Sequence, residues 1–229
     1  MSATWPAAIA LVLVLAAHAA ILSCDARPAS RVKTHASDGY VVYEIQGVLT
    51  AKECANLIDF ARTKGMDRSE VWADKNTLNE ASRKSKQTWI LDEEHRVAEK
   101  MAKVAELFSG IDKSHQEQLQ VAMYEPRGMF VDHYDACVSE DPENCLRMNK
   151  GSGQRRATLL VYLNDDFEGG ETEFGEVGFK IKPATGKGIF FWSTREDESL
   201  ITESKHRGNE VLGGSKWIAT KWTHKRAWI

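Results

Sequence analysis

Three side chains in this sequence have the types and spacing of a metal site. His133 and Asp135 stand two residues apart at the end of Tyr124-Glu-Pro-Arg-Gly-Met-Phe-Val-Asp-His-Tyr-Asp135. On a strand, residues i and i+2 face the same way, so both can reach one ion. Two ligands do not hold a catalytic metal, and Glu203-Ser-Lys-His206-Arg-Gly208 supplies a further nitrogen donor downstream. Two histidines and a carboxylate on one face of an ion form the facial triad of non-haem Fe(II) oxygenases. Zinc hydrolases can use the same donors. They have no need of Lys216, which follows His206 by ten residues in an apolar stretch.

Such residues need strands to hold them, and the second half of the chain reads as strands. Leu119–Tyr124, Phe130–Asp135, Ala157–Leu163, Glu171–Phe174, Gly178–Lys182, Gly188–Trp192, Lys205–Val211 and Lys216–Trp222 are short apolar or alternating runs. Asn164-Asp165 and Glu168-Gly-Gly170 separate them as turns. The run Ala157–Leu163 is almost continuously apolar, as a strand buried on both faces should be. Upstream the period is helical. Gly39–Gln46 reads as a strand, then Thr50 caps a helix that starts at Ala51 and stops near Gly65. Residues 66–88 are irregular, and Asp92 is the expected cap of a second helix ending at Gly110. This order predicts an α+β, mainly β protein, a double-sheet jelly roll with the N-terminal helices packed on one sheet.

The 229 residues carry a net charge of −3, which gives no reason to expect nucleic acid or an anionic membrane as partner. Residues 1–23 hold an apolar run from Ala7 to Leu22, which reads as a signal peptide or an uncleaved signal anchor. Residues 24–37 read as a linker, and 38–229 as one domain. Of the four cysteines, Cys137 and Cys145 bracket a short polar loop that an oxidising lumen would close, free surface thiols being the alternative. Cys24 can pair with Cys54 only if it survives cleavage, and Cys54 reads as a small core residue on a helix. The compartment implied is the secretory pathway: the endoplasmic reticulum lumen or membrane, or secretion.

From about Leu119 to His224 the sequence resembles the catalytic domain of prolyl 4-hydroxylases. The matching pieces are Leu119-Gln-Val-x-x-Tyr124-Glu-Pro, His133-x-Asp135, Gln154-Arg155, Tyr162-Leu-Asn, Gly169-Gly-Glu-Thr172-x-Phe, His206, Lys216 and Trp222-x-His224. Arg83-x-Ser85 echoes the family further upstream. The resemblance implies an Fe(II)- and 2-oxoglutarate-dependent dioxygenase, assisted by ascorbate, that hydroxylates peptidyl proline and releases succinate and CO2. It implies His133, Asp135 and His206 as iron ligands, and Lys216 as the cation for the far carboxylate of 2-oxoglutarate. Tyr124 and Thr172 would add hydroxyl donors there. Arg83, Ser85, Arg155, Trp222 and His224 would meet the peptide. It further implies a compact form with no appended peptide-binding domain.

The family often has glycine directly after Tyr-Glu-Pro; here Arg127-Gly128-Met129-Phe130 stand beside the expected groove. Two other readings are a same-fold oxygenase acting on a lysyl or other side chain, and a silent binding protein. A silent relative would usually have lost a ligand, and the three donors and the lysine are intact. His35, His95 and His115 read as surface residues, and Trp192, Trp217 and Trp228 as core or rim aromatics.

Overall fold

The structure, a computed structural model, describes residues 32–37, 39–69 and 82–228. The N-terminal apolar run and Cys24 lie outside them. In chain order the elements are β1 (Val32–Ser37), β2 (Tyr40–Ile45), α1 (Ala51–Lys64), β3 (Asp67–Arg68), β4 (Lys86–Ile90), α2 (Arg96–Ser109), β5 (Leu119–Tyr124) and β6 (Phe130–His133). There follow α3 (Pro142–Met148), β7 (Arg155–Tyr162), β8 (Glu168–Gly169), β9 (Thr172–Phe174), β10 (Phe179–Ile181), β11 (Gly188–Trp192), β12 (His206–Gly208), β13 (Val211–Gly213) and β14 (Lys216–His224). The large sheet runs β1-β2-β11-β7-β14-β5-β4-β3, and a second sheet runs β10-β9-β12-β6. The pairings are antiparallel, and β8 and β13 form a separate ribbon.

The large sheet is buried on both faces, which explains its continuous apolar runs. Leu119, Val121, Leu159, Val161, Trp217 and Ala219 point to one face and pack with Leu57, Met101 and Ala105 of the helices. The alternate residues Ala122, Tyr124, Leu160, Tyr162 and Ile218 point to the other, against Phe174 and Ile181 of the small sheet. Each large apolar side chain so buried contributes roughly 1.5–3 kcal/mol of transfer free energy. This is the expected jelly roll with helices on one sheet.

Both long helices are capped locally. Glu53 N–H donates to Thr50 Oγ1 at 3.2 Å and Thr50 N–H to Glu53 Oε2 at 2.8 Å, a complete capping box. At α2 the expected cap is displaced. His95 Nδ1 accepts from Val97 N–H at 3.2 Å, while Asp92 is drawn away by Lys221 Nζ at 2.6 Å. His95 is therefore a cap, and not a surface residue.

Other expectations need correction. The segment 32–37 is no linker; it pairs along its length with β2 as an edge strand. An edge strand with one partner needs little apolar sequence. His35 there is half-buried, its ring 2.9 Å from Glu44 Oε2. His115 is half-buried too, facing the His224 carbonyl. The Cys137–Cys145 disulfide is present, and Cys145 lies within the short helix α3. Asp141 as N-cap with Pro142 behind it is a helix-start signal that identifies α3 from sequence. Cys54 is buried and free.

Candidate active site

The two sheets bring the sequence's metal-ligand residues together. His133 ends β6 and His206 begins β12, and the two are direct partners in the ladder. Their ring centroids lie 4.2 Å apart. Asp135 reaches both, with Oδ1 3.8 Å from His133 Nε2 and Oδ2 3.9 Å from His206 Nε2. One donor atom from each of the three residues lies within 4.8 Å of the others.

The protonation states suit a metal. His133 Nδ1 lies 2.8 Å from the Val131 carbonyl and His206 Nδ1 2.9 Å from the Ser204 carbonyl. A carbonyl only accepts, so each Nδ1 carries a proton, which leaves Nε2 as the ring nitrogen turned towards a metal. Burial, reinforced by His206, pushes His133 down to about 3, so it is neutral at pH 7. Burial works against ionising Asp135, but His206, His133 and Arg155 outweigh it and hold its carboxyl below the usual range. Neutral imidazoles and an ionised carboxylate are what a divalent ion requires. The chemistry of the donor set thus fits Fe(II). Phe130 stacks on His133 at 3.5 Å between centroids and fixes its ring plane.

These donors line a cavity that opens into the space between the sheets. Lys216 lines it and is 2% exposed. Its Nζ lies 5.3 Å from the Tyr124 ring centroid and 5.5 Å from that of Tyr162. No carboxylate pairs with it among the described residues. Burial drops this lysine to about 7, with Glu171 opposing and Arg83 adding to the fall. Gly170 lets the chain pass this close: its φ is +67°, and a Cβ there would meet Phe167 at 2.7 Å and Lys216 Cδ at 3.0 Å. Thr172 lines the same cavity, its hydroxyl 2.6 Å from Tyr162 Oη. Sequence reading named Tyr162 within a matching piece but gave it no role; its alternation with Leu160 on the inner face was the available signal.

The residues expected to meet peptide divide. Arg83 and Trp222 line the cavity. Arg83 is buried over Phe130, its Nη2 donating to Gln120 Oε1 at 2.9 Å. Ser85 is turned away: it accepts from Arg83 Nε at 3.0 Å and donates to Ser69 at 2.7 Å. Arg155 stands behind Trp222, its guanidinium 3.9 Å from the ring centroid and paired with Glu117 Oε2 at 3.0 Å. His224 is 0% exposed and bonded to Glu117 Oε1 at 2.8 Å and the Gly153 carbonyl at 2.8 Å. The β14–β7 register shifts between Thr223 and His224, so the alternation that brings Trp222 to the cavity does not carry His224 there. Ser85, Arg155 and His224 therefore support the cavity wall and do not line it. Trp222 Nε1 is buried with no acceptor among the described residues.

The comparisons agree with this geometry. Residues 119–224 match the model of the 2OG-Fe(II) oxygenase superfamily. Among solved structures, the viral collagen prolyl hydroxylase from Paramecium Bursaria Chlorella virus-1, in its 2OG complex, superposes with a TM-score of 0.65 and 36% sequence identity. The match covers 82% of this chain and 98% of that one. The chain belongs to the prolyl 4-hydroxylase family of these oxygenases. It is 32% identical over 196 residues to Probable prolyl 4-hydroxylase 3 of Arabidopsis thaliana, 77% of this chain and 66% of that protein. To Prolyl 4-hydroxylase 1 of the same plant it is 37% identical over 134 residues, 53% and 45% of the respective chains. It thus spans about two thirds or less of the length of these curated plant relatives.

Proposed function

We propose that this chain is a prolyl 4-hydroxylase acting on peptidyl proline, with O2 and 2-oxoglutarate as co-substrates and succinate and CO2 as products. The observation that carries the proposal is Lys216, a buried lysine with no paired carboxylate among the described residues, in the same cavity as three converging metal donors. His133, Asp135 and His206 would hold Fe(II), which with 2-oxoglutarate and O2 supplies the oxidising power for an unactivated carbon. Lys216 binds the far carboxylate through a charge-assisted contact. Tyr124 and Thr172 contribute hydroxyls beside it, and Leu160 and Ile218 keep that end of the cavity dry. Trp222, whose side chain lines the same cavity, would meet the peptide. A collagen-acting relative among the solved structures supports proline-rich substrates.

The proposal includes the secretory pathway as compartment and ascorbate as reductant. The Cys137–Cys145 bond supports an oxidising lumen. No helix among the described residues is long and apolar enough to cross a membrane. Recovery of the native chain from cytosol with both thiols free would overturn this part.

Activity is tested by incubating proline-rich peptides with the protein, Fe(II), 2-oxoglutarate and ascorbate, then sequencing the products by mass spectrometry. Oxygen added at proline is expected. Oxygen added only at lysine, or succinate release indifferent to peptide, would reject the substrate assignment.

A further inference from the structure

We propose that Gln154 is a positioning residue for the carboxylate of the metal centre. The proposal rests on the metal reading above and concerns what keeps Asp135 in place. β6 ends at His133, so Asp135 lies two residues beyond the last ladder pair. Among the described residues, no main-chain hydrogen bond holds residues 134–138.

A side chain takes the place of the missing strand. Cys137 N–H donates to Gln154 Oε1 at 2.9 Å, and Gln154 Nε2 donates to the Cys137 carbonyl at 2.9 Å. A primary amide carries both a donor and an acceptor, so it can close both bonds as a neighbouring strand would. Thr158 Oγ1 holds the carboxylate itself, donating to Asp135 Oδ2 at 2.6 Å, but it does not hold the main chain that carries it. The remaining tethers are weaker or lead elsewhere. Arg155 reaches the Asp135 carbonyl only at 3.4 Å. The disulfide ties Cys137 to the loop of α3, a helix with no buried residue.

Gln154 is itself anchored at its base. Its N–H donates to Glu198 Oε2 at 2.7 Å, and its carbonyl accepts from Lys225 N–H at 3.0 Å. Glu198 is paired with Arg226 at 2.8 Å. Gly153 allows this packing: its φ is +74°, and a Cβ there would lie 2.6 Å from Glu198 Oε2. The metal carboxylate is thus positioned from the C-terminal tail, through Glu198 and Gln154 to Cys137. Groups that orient metal ligands commonly change affinity by about 10–100-fold when removed.

The test uses Gln154→Met, which removes both bonds at similar length, and Gln154→Glu, which keeps the acceptor but loses the donor. Co(II) is titrated anaerobically as the probe, with its visible absorption bands and the Tm recorded. At least ~10-fold weaker Co(II) binding is expected, with shifted bands and a Tm within a few degrees of the parent. Glutamate carries the test should the methionine variant fail to fold. Parent-like Co(II) affinity and spectrum would overturn the proposal whatever the Tm does. A parent that binds Co(II) no better than its own His206→Ala variant would overturn the metal reading and this proposal together.

Discussion

Thr158 Oγ1 donates a 2.6 Å hydrogen bond to Oδ2 of Asp135, from the inner face of β7 across to the end of β6. The bond leaves Oδ1 free and selects the rotamer in which the carboxylate meets both histidines. Thr158→Val keeps the volume and removes the donor. Its metal affinity should fall about tenfold, the lower end for a group orienting a ligand, with the fold intact. Asp135→Ala and His206→Ala should instead abolish turnover, because two protein donors remain. Titrating Fe(II) under nitrogen and measuring 2-oxoglutarate decarboxylation check both. Near-normal decarboxylation by either alanine variant would remove these residues from the site.

Glu117 lies behind the cavity wall and should govern acid stability. Burial alone would raise its pKa, but Arg155 and His224 reverse this and pull it down to about 2. A carboxyl depressed on folding stabilises the protein above its ordinary value of 4.5, and that contribution is lost as pH falls towards about 2. Glu117→Gln should therefore show a shallower loss of stability across this window. It should also be less stable at pH 7, by roughly 3–5 kcal/mol, since Arg155 is left buried without its partner. Urea melts at pH 7, 4 and 3 would read both effects; parallel pH profiles would contradict the assignment.

The Cys137–Cys145 bond closes a short loop, so its effect should be modest. The separation of 8 residues corresponds to about 2–3 kcal/mol in the chain-entropy account. For a domain of this size that is a Tm drop of roughly 4–10 °C on adding a phosphine reductant. The Cys137→Ser/Cys145→Ser protein should already melt at the lower temperature and ignore the reductant. If reductant leaves the parent's Tm unchanged, the bond is absent in solution.

What the sequence made legible was periodic or local. The strands of the large sheet and the Thr50 cap follow from side-chain alternation and neighbours in sequence. So do His133 and Asp135 as donors two apart, although the strand expected to carry both ends at His133. The misses are contacts between distant residues. Nothing near Asp92 reveals that Lys221 will claim it and leave capping to His95. Nothing near His224 reveals that Glu117 will bury it. The expected strand Lys205–Val211 is split, because β12 pairs with β6 and β9 while β13 turns to β8. The expected strand Phe130–Asp135 stops at His133 for want of a partner, which is why Gln154 is needed.

The last prediction concerns Lys216, whose charge depends on what it faces. Burial lowers it to about 7 when no anion is near, from an ordinary 10.5. The ammonium therefore destabilises the ligand-free protein fully below about 7, and the cost is relieved as pH rises towards 10.5. Lys216→Met should raise the Tm of that form, more at pH 6 than at pH 9. For 2-oxoglutarate the sign reverses. The far carboxylate binds the protonated lysine, so above pH 7 binding must take up a proton. With metal saturating, affinity should fall roughly tenfold for each pH unit well above that point. Lys216→Ala should bind about 100-fold more weakly or worse, with a flat pH profile, since 1.4 kcal/mol is a factor of ten. Lys216→Arg keeps its charge throughout, so its profile should be flat too, but its longer planar fork should rescue poorly. Calorimetric titration of 2-oxoglutarate between pH 6 and 9 separates these outcomes. A parent profile as flat as that of Lys216→Ala would mean that another cation anchors the co-substrate, and Arg83, the other buried cation lining the cavity, would be the next to test.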